Sequence, residues 1–226
     1  MLKRLVILAV AAVFLGACPV SFLESENVYT HGSREERAIA LTFDDGPHPI
    51  YTDKILDVLE RYDIKATFFA IGINAENYPS PLLRAHKEGH EIGNHTYNHK
   101  NLRNMKYEDM HREVTSATEK IYDLIDYGVN LIRPPQGAMS AQFLSLAEEL
   151  GYRIVLWDVD TRDWAGESVE KMAQNILENT DNGDIILLHD YHLHAENTIR
   201  TLETVIPLLL ERGFRFVTVS ELLSDG

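Results

Sequence analysis

The chain has 226 residues, 45% of them apolar and 25% charged, with a formal net charge of −14. That length suffices for one domain with a large core. The acidic balance argues against nucleic-acid binding and against adsorption to anionic surfaces, and leaves neutral or cationic ligands.

Lys3 and Arg4 precede an apolar run from Leu5 to Leu15, which ends in the small residues Gly16 and Ala17. This is the layout of an export signal, expected over residues 1–17. The run falls short of the ~20 apolar residues of a membrane span, and an uncleaved signal anchor is the alternative. Cys18 is the sole cysteine, so it has no intrachain disulfide partner. Leu15-Gly16-Ala17-Cys18 resembles a bacterial lipobox, which implies a lipid on Cys18 and anchoring to a bacterial membrane after export. An incidental cysteine at a plain cleavage site is the other reading. Loss of Lys3 and Arg4 with the leader takes the formal charge from −14 to −16. Residues 18–36 are polar and mixed in charge and read as a tether; the folded domain is expected over 37–223.

From Ala38 onward, β-type runs alternate with helical patterns. Strands are expected at 38–43, 66–71 and 90–94, separated by helices at 53–62 and 80–88. A long helix over 107–127 places Met110, Val114, Ala117, Ile121, Leu124 and Ile125 on one face. A strand at 131–133 is halted by Pro134 and Pro135. Then come a helix at 141–150, a strand at 153–158, a helix at 169–179 and an apolar strand at 184–189. A helix at 197–212 and a strand at 214–217 finish the alternation, with Ser220 as cap of a terminal turn. About seven β/α alternations imply a parallel sheet with helical crossovers. A small, incomplete β/α barrel fits this length, and a doubly wound open sheet is the runner-up. No coiled-coil or interface pattern is present, and a monomer is expected.

In β/α barrels the site lies at the C-terminal ends of the strands. Asp44, Asp45, His95, Arg133, Asp163 and His189 all fall at such ends or just beyond them. Adjacent residues leaving a strand point in different directions, so one aspartate of Asp44-Asp45 can bind a metal while the other faces substrate; an acidic turn is the bland reading. His95-x3-His99 can present two imidazoles to one cation if the segment is helical, although by itself this spacing suits two solvated histidines equally well. With Asp45 it makes a two-His, one-carboxylate set with open positions. Arg133, before Pro134-Pro135-Gln136-Gly137, can orient a carboxylate or form a structural ion pair. His189 beside Asp163 can remain protonated and act as an acid. Trp164 offers a flat surface to a sugar or a methyl group, or packs in the core.

Thr42–Pro47, His95–His99, Arg133–Gly137, Asp160–Trp164 and Leu187–His189 resemble, in order, the five motifs of the NodB-homology polysaccharide deacetylases of carbohydrate esterase family 4. The likeness spans roughly residues 37–223. It implies a distorted, incomplete β/α barrel and one divalent metal ion, Zn²⁺ foremost, with Co²⁺, Ni²⁺ or Mn²⁺ as alternatives, held by Asp45, His95 and His99. It further implies Asp44 as general base, Arg133 as its orienting partner, and His189 as general acid tuned by Asp163. Trp164 and Leu187 would line an acetyl pocket, and the Gln136 backbone N–H would help bind an oxyanion. Many members carry an aromatic residue at the position of Gln136, so this chain departs from the pattern where the side chain would face the sugar. His48, His192 and His194 lie near the motifs and read as rim or solvated residues. The implied activity is removal of N-acetyl groups from an amino-sugar polymer such as peptidoglycan, with acetate as product. An O-acetyl xylan esterase and a non-catalytic glycan-binding protein are the alternatives.

Overall fold

The computed structural model describes residues 27–224, so the expected export signal, Cys18 and the first part of the tether lie outside the described residues. The strands are β1 (Val28–Tyr29), β2 (Ala38–Asp44), β3 (Thr67–Ala70), β4 (Glu91–Asn94), β5 (Leu131–Ile132), β6 (Arg153–Val155), β7 (Val159–Asp160), β8 (Ile185–His189) and β9 (Arg215–Phe216). The helices are α1 (Tyr51–Arg61), α2 (Gly72–Asn77), α3 (Pro79–Lys87), α4 (Tyr107–Ile125), α5 (Ala141–Glu149), α6 (Val169–Asn179), α7 (Ala195–Glu211) and α8 (Val219–Ser224). The strands pair in the order β1-β6-β5-β4-β3-β2-β8-β7, with β9 against the start of β2, and every ladder is parallel.

Closure depends on one short link. β6 stands near one margin of the sheet and β7 forms the other, yet only residues 156–158 join them. Leu156 N still bonds to Tyr29 O at 2.7 Å, whereas Asp158 N already bonds to Ile185 O at 3.0 Å. So short a span draws the two margins together and curls the sheet into a barrel that is closed by the crossing chain rather than by ladder bonds. The architecture is therefore the distorted, incomplete barrel and not the open sheet. The single strand expected at 153–158 is replaced by β6, a crossing and β7, because the chain changes partners at Leu156.

Alternation along the strands sorts their side chains. Ile39, Leu41 and Phe43 of β2 join the large cluster beneath the helices. Ala38 and Ala40 face the barrel interior with Phe69, Leu131, Val155 and Ile185. Continued by the same period, Thr42 and Asp44 fall on the interior side at the barrel mouth. Arg133 follows Leu131 and His189 follows Leu187 by the same rule. The interior thus grades from apolar at its base to charged at its mouth. Val219 and Leu222 of α8 plug the base.

Two local expectations need correction. Residues 27–36 do not behave as a free tether. Val28 and Tyr29 pair with Ile154 and Val155, Gly32 N bonds to Gly183 O at 2.8 Å, and Arg34 forms ion pairs with Asp158 and Asp184. The β1 residues bond to the margin of β6, which would otherwise expose unpaired backbone groups. Nor does Ser220 cap α8. Thr218 does so, through a reciprocal box in which Glu221 Oε2 accepts from Thr218 N at 2.8 Å and Thr218 Oγ1 accepts from Glu221 N at 3.3 Å.

Candidate active site

A cleft of about 510 Å³ opens at the C-terminal mouth of the barrel, lined by Asp44, Asp45, His95, His99, Gln136, Trp157, Asp160, Trp164, Leu187 and His189. Every cleft residue expected from the sequence is in that lining, and Arg133 and Asp163 stand directly behind it.

Asp44 ends β2 and is buried. Its Oδ1 accepts from Arg133 Nη1 at 2.7 Å. Arg133 is 0% exposed and spans the barrel interior. It donates also to Thr42 Oγ1 at 2.9 Å, Val155 O at 3.1 Å and Leu156 O at 2.8 Å. Its guanidinium lies over the Phe69 ring at 4.3 Å. Burial pulls the Arg133 pKa below its ordinary value, and Asp44 opposes that pull. The buried charge is tolerable because it is neutralised and its donors are placed. The arrangement pins one carboxylate oxygen of Asp44 and leaves Oδ2 toward the cleft, 3.7 Å from His95 Nε2.

Asp45 turns the other way. Its φ of 76° lies in the left-handed region, and Asn74 Nδ2 donates to its carbonyl at 2.8 Å. Asp45 Oδ1 faces His95 Nε2 at 3.4 Å and His99 Nε2 at 3.1 Å. His95 and His99 are not on a helix, so the helical condition for their convergence is not met. They leave β4 on a loop in which Thr96 has φ 66° and His99 has φ 55°. That bend, rather than one helical turn, brings the rings to a centroid separation of 5.0 Å.

The three residues suit a divalent cation. Their donor atoms all lie within 4.8 Å of one another. Asp45 Oδ1 is buried and has no hydrogen-bond partner, an orphan that a cation would satisfy. His95 Nδ1 bonds to Arg133 O at 2.7 Å, which orients Nε2 toward the cluster. Burial holds the His99 pKa below its ordinary value, which favours the neutral, ligating form. Burial alone would also lower His95, but Asp44 and Asp45 outweigh it and raise it. Such a concentration of negative field calls for a positive charge at this spot.

On β8, where it is the register partner of Asp44, His189 bonds through Nδ1 to Asp163 Oδ1 at 2.8 Å, and His189 N donates to Asp163 Oδ2 at 2.8 Å. Asp163 is 1% exposed and also accepts from Trp164 N at 2.8 Å and Thr198 Oγ1 at 3.0 Å. Burial is the largest single influence and would lower the His189 pKa, but the Asp163 hydrogen bond and charge, with the charges of Asp44 and Asp45, together outweigh it, and His189 rises to about 9. The imidazolium is thus stable at neutral pH, with Nε2 free for the cleft. Leu187 is buried in the floor, while Trp164 is 53% exposed. Trp164 is therefore rim and not core, steadied by its indole N–H to Asp160 Oδ1 at 3.3 Å. Gln136 has φ 59°, and its side-chain Oε1 accepts from Asn101 Nδ2 at 2.8 Å.

Two histidines read as rim or solvated residues have other roles. His192 Nε2 lies 3.5 Å from Asp163 Oδ2 and 3.0 Å from Thr198 Oγ1, supporting the Asp163 carboxylate. His48 Nδ1 accepts from Ile50 N and Tyr51 N at 3.1 Å each, holding the start of α1. His194 is exposed at the rim, as expected. Trp157 of the cleft wall went unanticipated. It sits on the β6–β7 crossing, which periodicity cannot reveal.

The polysaccharide deacetylase family profile matches residues 31–155. A peptidoglycan-N-acetylglucosamine deacetylase of Bacillus cereus is 42% identical over 190 residues, 83% of this chain and 89% of the relative. A chitooligosaccharide deacetylase of Azorhizobium caulinodans is 37% identical, over 80% of this chain and 92% of the relative. Among solved structures, a peptidoglycan N-acetylglucosamine deacetylase in complex with 4-naphthalen-1-yl-N-oxidanyl-benzamide superposes with a TM-score of 0.86 at 38% identity, covering 88% of this chain and 93% of that one. The Xyl-CE4 domain of a multidomain xylanase from the hindgut metagenome of Trinervitermes trinervoides has a TM-score of 0.77 at 35% identity, covering 84% and 91%. The chain belongs to the polysaccharide deacetylase family.

Proposed function

We propose that this chain is a metal-dependent hydrolase that removes acetyl groups from N-acetylated amino sugars of a polysaccharide, with the N-acetylglucosamine of peptidoglycan as the first substrate to try. The observation that carries the reading is the convergence of three groups on one cleft. A carboxylate pinned by a buried arginine and a carboxylate-backed imidazolium line it together with the Asp45–His95–His99 cluster. The names of the relatives support the substrate class.

A divalent cation held by Asp45, His95 and His99, Zn²⁺ foremost, supplies Lewis acidity that eases deprotonation of water and polarises an amide carbonyl. Asp44 Oδ2 is the proton acceptor for the attacking water. Arg133 fixes that carboxylate in rotamer, so it abstracts a proton without first having to reorient. His189 Nε2 delivers a proton to the departing nitrogen, without which the amine is a poor leaving group. Asp163 holds the ring and its charge. The Gln136 backbone N–H steadies the developing oxyanion. Leu187 and Trp164 exclude water around the acetyl methyl and the sugar face.

The proposal extends to the segment before the described residues. The export signal over residues 1–17 and a lipid on Cys18 would anchor a monomeric enzyme to the envelope, beside the cell-wall polymer.

The test is acetate release from chitin oligomers, purified peptidoglycan and acetylated xylan, with and without a chelator. Release from the first two that the chelator abolishes and Zn²⁺ restores is expected. Release from xylan alone would replace the amide by an ester as the bond cleaved. No release from any of the three by metal-loaded protein would refute the catalytic reading.

A further inference from the structure

We propose that Glu113 is a positioning residue that sets the third metal ligand, His99, by clamping the loop that carries it. The inference rests on the metal-site reading above. Two of the three ligands are tied down by a hydrogen bond of their own, one on its ring and one on its backbone. His95 is fixed through Nδ1 to Arg133 O at 2.7 Å, and Asp45 through its carbonyl to Asn74 at 2.8 Å.

His99 differs. Its ring has no hydrogen bond to another described residue, its side chain is 33% exposed, and its nearest charged partner is Asp45 at 3.1 Å. Ligating histidines usually have their second nitrogen tied to a partner that fixes ring orientation. His99 therefore takes its orientation from its backbone, which sits at φ 55° on a loop already bent at Thr96. Such backbone persists only where its surroundings hold it.

Glu113 supplies that hold from α4. It is 5% exposed. Its Oε2 accepts from Asn98 N at 2.8 Å, and its Oε1 accepts from Asn98 Nδ2 at 2.9 Å and pairs with Lys100 Nζ at 3.0 Å. Its own carbonyl accepts from Tyr97 N at 2.9 Å. The contacts fall on residues 97, 98 and 100, on both sides of His99. None of them reaches the cleft, so Glu113 acts on the metal only through the loop.

A visible-absorption titration with Co²⁺ on the purified full-length chain tests this. The set comprises the wild type, Glu113→Gln, Glu113→Ala, His99→Ala and the Glu113→Ala/His99→Ala double variant. Glu113→Ala is expected to weaken Co²⁺ binding by about 10- to 100-fold and to alter the ligand-field bands. Glu113→Gln, which keeps an acceptor for Asn98 N but loses the charge pair with Lys100, should fall between it and wild type. With His99 already removed, Glu113→Ala should cost no further affinity. Wild-type affinity in Glu113→Ala, or an equal fold-loss in both backgrounds, would overturn the proposal, the latter marking Glu113 as a general support of the fold. Should Glu113→Ala fail to fold by circular dichroism, the same cycle run with Glu113→Gln decides. Failure of the deacetylase reading would look different: normal Co²⁺ binding with no acetate released.

Discussion

Replacing Asp163 by Asn tests whether the protein holds a proton on His189 for its chemistry. The rise of His189 from 6.5 to about 9 corresponds to about 3 kcal/mol of preference for the imidazolium. The Asp163 hydrogen bond at 2.8 Å is the largest of the causes that raise it. Without that carboxylate, burial acts against the charge, and the pKa should return to 6.5 or below. For a value of 6.5 the protonated fraction then falls by about 30-fold at pH 8, but by only about 1.3-fold at pH 6. A cation in the cleft offsets what Asp44 and Asp45 add, so the wild-type alkaline limb in the metal-loaded enzyme lies at or somewhat below 9; its displacement on substitution is the readout. The assay is kcat against pH for both proteins, loaded with the same metal. A loss of equal size at pH 6 and pH 8, with the alkaline limb unmoved, would refute the tuning role and leave Asp163 as a structural acceptor for Trp164 N and Thr198. Stability should follow the same titration. Because the folded value lies above the unfolded one, this stabilisation is complete below pH 6.5 and disappears as pH rises through about 9. Denaturant melts of wild type at pH 6 and pH 9 should show the decline, and those of Asp163→Asn should lack it.

Asp44→Asn should lower kcat by about 10²- to 10⁴-fold while Zn²⁺ affinity, measured by competition with a chelating dye, stays near wild type, because Asp44 is outside the cluster. Arg133→Ala should destabilise the fold by about 3–5 kcal/mol, since it leaves Asp44 buried without its counter-charge; urea melts would show it, and a loss below 1 kcal/mol would contradict the buried pairing. Gly46→Ala should cost about 1–3 kcal/mol, because a Cβ there would overlap the Asp190 carboxylate. A Gly46→Ala/Asp190→Ser double variant should recover much of that loss in thermal melts.

The sequence by itself determined the alternation of elements and marked the polar residues that the fold gathers at the cleft. Apolar period and strand-end position suffice for both. The helix at 169–179 coincides with α6, and Met110, Val114, Ala117, Ile121 and Ile125 are the buried face of α4. Asp44, Asp45, His95, Arg133, Asp163 and His189 stood out because polar groups that end apolar strands must face something specific. The divergence of Asp44 from Asp45 was legible for the same reason.

Only the tertiary structure decided how those residues meet. Whether the sheet closes depends on three residues that cross between its margins, and their path is set by partners distant in the chain, Tyr29 and Ile185. That crossing also puts Trp157 in the cleft wall. His95 and His99 converge through left-handed backbone at Thr96 and His99, a conformation that a His-x3-His spacing does not encode. Glu113, Asn74, Thr198 and His192 support the site from other elements, and no local pattern marks them. Residues 27–36 look like a linker by composition, yet their backbone pairs with β6 and Gly183. Local periodicity is a property of a few neighbouring residues, whereas closure, loop clamps and hydrogen-bond partners depend on contacts between residues far apart in the chain, and these exist only once the barrel has formed.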